Sequence, residues 1–222
     1  MKKIIIFGMG DFARFVHYYF TEVANETVVG FTVDKDCLKT DSFLGLPVIP
    51  FEDINTMFPP DNYKIFIALA YKELNRNREK KYKEAKLKGY KFASFIHPTA
   101  IIAKNAKLGD NLLILENNII QPFVKVGNNV IMWGSDFIGH DSIIEDNCFL
   151  SINVIIGGYV KISANSFLGL NSTIKNTVNV GKFNIIGASA VILKDTNDYA
   201  VYKSKNTEML DLPSNEVENR LI

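Results

Sequence analysis

"FIGHDSIIEDNCFLSINVIIGG", residues 137–158, decides the fold of this chain. Within it Ile138, Ile144, Leu150 and Ile156 fall six residues apart. Followed outward, the spacing runs back through Met132, Val126, Ile120, Ile114 and Leu108 to Ile102, and forward through Ile162, Leu168, Ile174, Val180 and Ile186 to Ile192. No residue is inserted or skipped. Glycine follows the apolar residue at 109, 127, 139, 157, 169, 181 and 187. Small or β-branched residues stand two places before it, among them Ala106, Val124, Ser142, Cys148, Val154 and Ala190. A period of six suits neither a helix, with 3.6 residues per turn, nor the two-residue alternation of a strand. It suits a parallel β-helix, in which each hexapeptide builds one flat wall and the corner that follows. The apolar side chains then stack inward and the small residues fill the corners. Flat outer walls of this kind pack against copies of themselves, which predicts a cyclic oligomer. Both ends of a solenoid need covering; "DLPSNEVENRLI" (211–222) is the candidate cap at the C-terminal end.

Residues 1–96 obey different rules. "KKIIIFG" is a continuous apolar run ended by glycine, the pattern of a strand buried on both faces. "DFARFVHYYFTEV" has helical spacing, with Asp11 as the expected N-cap. "TVVGFTVD" and "KIFIALA" read as further strands, and "YKELNRNREKKYKEAKLKG" as a charged helix that Gly89 ends. Strand–helix alternation predicts a small Rossmann-like parallel sheet flanked by helices. The expected organisation is an α/β domain over 1–96 and the β-helix, with its tail, over 97–222.

Bulk properties narrow the function. A net charge of +1 argues against nucleic acid as a partner. No apolar run approaches the roughly 18 residues that span a bilayer. The opening "MKKIIIFGMG" breaks at Gly8 with no cleavage site behind it, so it reads as a strand rather than a signal peptide. Cys37 and Cys148 form no CxxC motif, and a reducing cytoplasm is expected.

Several residues could carry chemistry. "GMGDFA" places Gly8, Gly10 and Ala13 in a G-x-G-x-x-A turn between strand and helix, where backbone N–H groups bind phosphate. A 90-residue sheet domain is short for a full dinucleotide fold, which favours a nucleotide-sugar pyrophosphate; a plain βα turn is the alternative. Asp34 ends the second strand, where an acid can bond a ribose or base, or simply turn the chain. His140 falls two places after an inward Ile138, so a coil corner should present it outward. A free imidazole accepts protons near neutral pH. Asp141, Asp136 and Glu145 are rival carboxylates to orient it, because neighbours on a strand point to opposite faces. Gly157-Gly158 would let a ligand approach the backbone, with the Gly158 N–H as an oxyanion donor.

The chain resembles the bacterial nucleotide-sugar acetyltransferases of the bacillosamine N-acetyltransferase and sialic-acid O-acetyltransferase type. The resemblance rests on "IFGMGDFAR", "VGFTVDKD", "FIHPTAIIA", "IGHDSIIED" and the hexapeptide array, over roughly residues 2–203. It implies a homotrimer of left-handed β-helices that uses acetyl-CoA, with no metal, to acetylate the amine of a UDP-, dTDP- or GDP-linked amino sugar for glycan biosynthesis. It further implies His140 as catalytic base with Asp141 behind it. Gly8, Gly10, Asp34 and Lys35 are implied as nucleotide-sugar contacts, and Gly158, Leu170 and Ala188 as contacts to the CoA arm. Three positions depart from the family pattern: Phe12 stands where some relatives carry a histidine, Lys35 where a second acid is often found, and "VYKSKNTEML" where the usual ending differs. Lys203 and Lys205 there are either phosphate contacts or a solvated tail.

Three other functions compete. O-acetylation uses the same base chemistry. A zinc hydratase of β-helical fold needs three histidines, and His17, His97 and His140 are widely separated in sequence. A non-catalytic scaffold would keep the solenoid alone. His97, before Pro98, reads as a junction residue and His17 as packing.

Overall fold

The computed structural model describes residues 3–209. In the N-terminal domain β1 (Lys3–Phe7), β2 (Val28–Val33), β4 (Leu46–Pro50), β5 (Tyr63–Ile67) and β6 (Lys91–Phe92) run parallel. The short β3 (Ser42–Phe43) pairs antiparallel with β4, giving the order β3-β4-β2-β1-β5-β6. The apolar run of β1 is explained by its two faces. Ile4 and Ile6 pack with α1 (Asp11–Tyr18) through Ala13 and Val16. Ile5 and Phe7 pack on the opposite side with Tyr82 and Ala85 of α3 (Arg76–Leu87), and with Ile54 of α2 (Ile54–Met57). Each such side chain removed from water contributes roughly 1.5–3 kcal/mol.

Residues 95–202 form the expected parallel β-helix, left-handed in its winding. Leu113 pairs with Ile131 and Ile131 with Phe149, a repeat of 18 residues, so one coil is three hexapeptides. The three walls hold seven, six and five two-residue strands. We call them the first wall (Phe95–Ile96 onward), the second (Ile101–Ile102 onward) and the third (Lys107–Leu108 onward). The inward residues predicted from the spacing form one continuous core. Residues 111, 117, 123 and every sixth thereafter to 189 have left-handed backbone, and seven of these fourteen are asparagine. Asparagine tolerates that region better than other side chains with a Cβ, so the corners as well as the walls are written at period six.

The outer faces differ. On the first wall Leu113, Ile131 and Phe149 lie buried under the N-terminal domain. The second wall exposes Ile101, Ile119, Ile155 and Val191. The third presents Lys107, Lys125 and Lys161.

Three local expectations are corrected. Gly10, not Asp11, is the N-cap of α1; Asp11 lies in the first turn, 3.2 Å from Arg14. The helix expected from Tyr71 begins at Arg76, because Glu73, Leu74 and Asn75 all have left-handed backbone (φ 53, 51 and 65). The strand expected over 64–70 ends at Ile67. The candidate cap at 211–222 lies outside the described residues.

Candidate active site

His140 and Asp141 sit on the edge between the second and third walls. Asp141 has left-handed backbone (φ 58), which swings its side chain onto the side of its neighbour. His140 Nδ1 lies 3.0 Å from Asp141 Oδ2. A carboxylate only accepts, so this bond places the ring proton on Nδ1 and leaves the Nε2 lone pair free. The imidazole is half exposed, its backbone N–H donates to Gln121 Oε1 at 3.0 Å, and the ring of Tyr159 meets it edge to face at 5.1 Å.

The rival carboxylates are engaged elsewhere. Glu145 pairs with Lys161 at 2.8 Å and accepts the Ala164 N–H. Asp136 is buried; one oxygen accepts the Val154 N–H at 2.8 Å and the other has no partner among the described residues. Burial pushes its carboxyl pKa well above the usual range, against the pull of that bond.

Gly158 is the seat of the imidazole. A Cβ there would stand 2.8 Å from His140 Nε2 and 3.0 Å from Cε1. Among the described residues its N–H has no acceptor. Gly157 answers to packing instead: a Cβ there would collide with Asn176.

A second site lies in the N-terminal domain. A cleft of about 680 Å³ opens at the C-terminal ends of β1, β2 and β5, lined by Gly8, Met9, Asp34, Cys37, Tyr71 and the lysines 72, 80 and 81. This is where an open parallel sheet places its ligands. Gly8 has φ 124 and its Cβ would press on Ala68 O at 3.0 Å, so the turn itself requires glycine. Gly10 is exposed at the helix N-terminus and a Cβ there would meet nothing. Asp34 bonds Lys81 Nζ at 2.6 Å. Burial works against the Lys81 charge, but Asp34 and Glu84 outweigh it and raise its pKa. Lys35 is exposed, does not line the cleft, and donates its backbone N–H to Glu52. The cleft lysines on α3 were not singled out from the sequence; their spacing at 80 and 81 within a lysine-rich helix resembles a solvated face.

A third site is the apolar groove of about 350 Å³ along the edge between the first and second walls. It holds Leu170 and Ala188 together with Tyr71, Trp133, Ile152 and Phe167. His140 follows a second-wall strand and Leu170 a first-wall strand, so one chain carries them on different edges of the prism.

The remaining edge, between the third and first walls, is structural. Asn111, Asn129 and Asn147 are buried in a ladder, each amide donating to the next at 2.7 Å. Arg78 is fully buried beside it, with no carboxylate partner among the described residues. Its guanidinium donates to the carbonyls of Ala70, Asn129, Asn147 and Cys148 and to Asn75 Oδ1. Burial lowers its pKa, to about 9, so it keeps its charge at neutral pH. The Asn75 amide donates to the carbonyls of Asn165 and Ser166. These two residues fasten the start of α3, and so one wall of the cleft, to the coils.

His97 Nδ1 accepts the Thr99 N–H, while Nε2 lies 3.7 Å from Glu116, which also accepts the Tyr19 hydroxyl. His17 packs on Phe31, and burial lowers its pKa against the pull of Glu22. Lys203 and Lys205 are exposed. Among the described residues no cluster of three or more His, Cys, Asp or Glu is arranged for a metal, and no helix is long and apolar enough to cross a membrane.

With this geometry in view, the chain can be set against known proteins. Residues 3–85 match the family model of the PglD N-terminal domain, and residues 91–198 that of the GMPPB C-terminal domain. A search of curated proteins by sequence finds no match. Among solved structures, the acetyltransferase domain of PglB from Neisseria gonorrhoeae superposes with a TM-score of 0.79 at 22% identity, covering 90% of this chain and 96% of that one. PerB from Caulobacter crescentus, solved with CoA and GDP-perosamine, gives 0.79 at 24%, covering 90% and 93%. WeeI from Acinetobacter baumannii gives 0.70 at 20%, covering 90% and 96%. Fold and matches together define a hexapeptide β-helix protein with a Rossmann-like N-terminal domain. Its first domain matches the PglD N-terminal family model over residues 3–85, consistent with the resemblance to the bacterial sugar acetyltransferases.

Proposed function

We propose that the chain is an acetyl-CoA-dependent N-acetyltransferase acting on the amine of a nucleotide-linked amino sugar. The observation that carries this reading is the His140–Asp141 pair, with Nε2 held over Gly158 beside an N–H that has no acceptor among the described residues. The sugar amine attacks the thioester carbonyl and gives its proton to Nε2, while Asp141 stabilises the imidazolium. The Gly158 N–H bonds the oxyanion of the tetrahedral intermediate. The C–S bond then breaks, the thiolate takes the proton back from Nε2, and amide and free thiol leave.

In this reading the cleft holds the nucleotide. Gly8 and the turn up to Gly10 present backbone N–H groups, and Lys72, Lys80 and Lys81 supply positive charge to a pyrophosphate. Asp34 sets Lys81 in place, and Lys35 lies outside the cleft at its strand end. Leu170 and Ala188 line the path of the pantetheine arm. Since His140 and Leu170 belong to different edges, a complete site needs two chains, and the exposed isoleucines of the second wall supply an apolar contact face. A homotrimer satisfies both requirements. The PerB complex with CoA and GDP-perosamine supports the pairing of these two ligands on this fold.

The test is thiol release from acetyl-CoA with a panel of UDP-, dTDP- and GDP-linked amino sugars. Turnover with one acceptor is expected. Failure to bind acetyl-CoA at all would discard the enzyme in favour of a scaffold.

A further inference from the structure

Tyr71 belongs to two sites at once. It lines the nucleotide cleft with Gly8, Asp34 and Lys81, and it lines the apolar groove with Leu170 and Ala188. Its ring stands against Phe149 and Phe167, 5.0 Å from each and steeply inclined to both. It is nonetheless 52% exposed, and its hydroxyl bonds none of the described residues. An aromatic face and a free O–H donor are therefore presented at the seam between the two cavities.

The backbone behind it is held unusually firmly. Residues 73, 74 and 75 all take left-handed conformations without a glycine among them. Non-glycine residues stay in that region only where the surroundings impose it. Here the surroundings are Arg78, bonded to the Ala70 carbonyl on one side of Tyr71 and to Asn75 on the other, and Asn75 itself, bonded into the coils. A loop that merely connected β5 to α3 would need neither the buried guanidinium nor the strain.

We infer that Tyr71 is a shared contact residue, touching the nucleotide-linked sugar on one side and the thioester arm on the other. This rests on the function proposed above and identifies where its two ligands meet. The phenol packs its ring along the pantetheine chain and offers its O–H to the diphosphate.

Titration calorimetry on the intact protein tests it, with UDP, dTDP and GDP as probes of the cleft and CoA as the probe of the groove. Tyr71→Ala, at an exposed position, should fold as the wild type does and weaken both the nucleotide that binds and CoA by about three- to tenfold, the size of an aromatic face contact. Tyr71→Phe should keep CoA affinity and weaken the nucleotide by no more than Tyr71→Ala does. Lys81→Ala and Leu170→Ala serve as one-sided controls, the first weakening only the nucleotide and the second only CoA. Binding of both ligands by wild type, with Tyr71→Ala weakening one or neither, overturns the inference and leaves the function standing. Wild type that fails to bind both ligands overturns the function and this inference with it.

Discussion

Two edges of the same prism each carry a histidine beside a carboxylate, and they are built for opposite ends. At His140 the acid is the next residue in sequence, reached because Asp141 turns the backbone left-handed, and one ring nitrogen is left free over a glycine. At His97 both nitrogens are occupied, Nδ1 by the Thr99 N–H and Nε2 facing a Glu116 already claimed by Tyr19, and the ring packs on Tyr19 and Phe95. The first arrangement leaves a lone pair for a substrate; the second fixes a domain junction. Proximity of an imidazole to a carboxylate does not make a base. A free nitrogen with room beside it does.

The comparison breaks most visibly by deleting each ring in turn. His140→Ala should lower the acetyl-transfer rate by about 10²- to 10⁴-fold, the usual contribution of a positioned base. His97→Ala should stay within about threefold, as substitutions remote from the reacting atoms do. Equal losses in steady-state assays would erase the distinction. Gly158→Ala sharpens the point without touching the histidine. The new Cβ has to displace Nε2, and a misplacement of that size costs about 10²-fold in kcat.

The next effect is on stability. Arg78→Met keeps the bulk but leaves six oxygen atoms, the Leu69 carbonyl among them, without this donor, so a loss of about 3 kcal/mol or more is expected. That corresponds to a fall of roughly 6–12 °C in Tm by calorimetry. An unchanged Tm would mean that the domains are held by apolar packing alone.

Asp136 is the smaller case. Its pKa is raised in the fold by burial, so the folded chain binds a proton that an unfolded aspartate releases above about 3.9. Its contribution is therefore fully present below that value and is lost as the pH rises toward the folded pKa. Asp136→Asn supplies a neutral side chain that never ionises, as Asn118 does one coil earlier, where its amide donates to the Leu115 and Trp133 carbonyls. Thermal melts should show a gain of about 1 kcal/mol at pH 7 that shrinks toward pH 4. A pH-independent change would show that the carboxyl is not protonated in the fold.

The slightest effect concerns the thiols. Exposed Cys37 lines the cleft, whereas Cys148 is buried with its pKa pushed up to about 12 by burial. One thiol per native chain should react with a disulfide reagent, and the nucleotide that binds should slow it. Unchanged labelling would move the nucleotide elsewhere.

Periodic features were legible in the sequence and single contacts were not. The aliphatic series from Ile102 to Ile192 specified the solenoid outright, since each residue repeats the same environment 18 residues on. The second half of that signal is asparagine at the corners, which holds seven of the fourteen left-handed positions. His140 stood out because a titratable ring interrupts a packing array. Its partner could not be chosen among Asp136, Asp141 and Glu145, because that choice turns on one backbone angle. Arg78 was invisible for the opposite reason. In a lysine-rich stretch an arginine reads as solvated surface, and only the docking of α3 on the asparagine edge buries it. Residues 73–75 misled as well: Glu, Leu and Asn extend a helical pattern that the Asn75 contacts to the coils override.

The central claim is that this chain makes an amide on a sugar. The most direct measurement is the identity of the new bond after incubation with acetyl-CoA and the nucleotide-linked amino sugar that supports thiol release. The account predicts a product one acetyl group heavier, with its primary amine gone and the new group stable to mild base. A base-labile ester with the amine intact, or thiol release with no acetylated sugar, would contradict it.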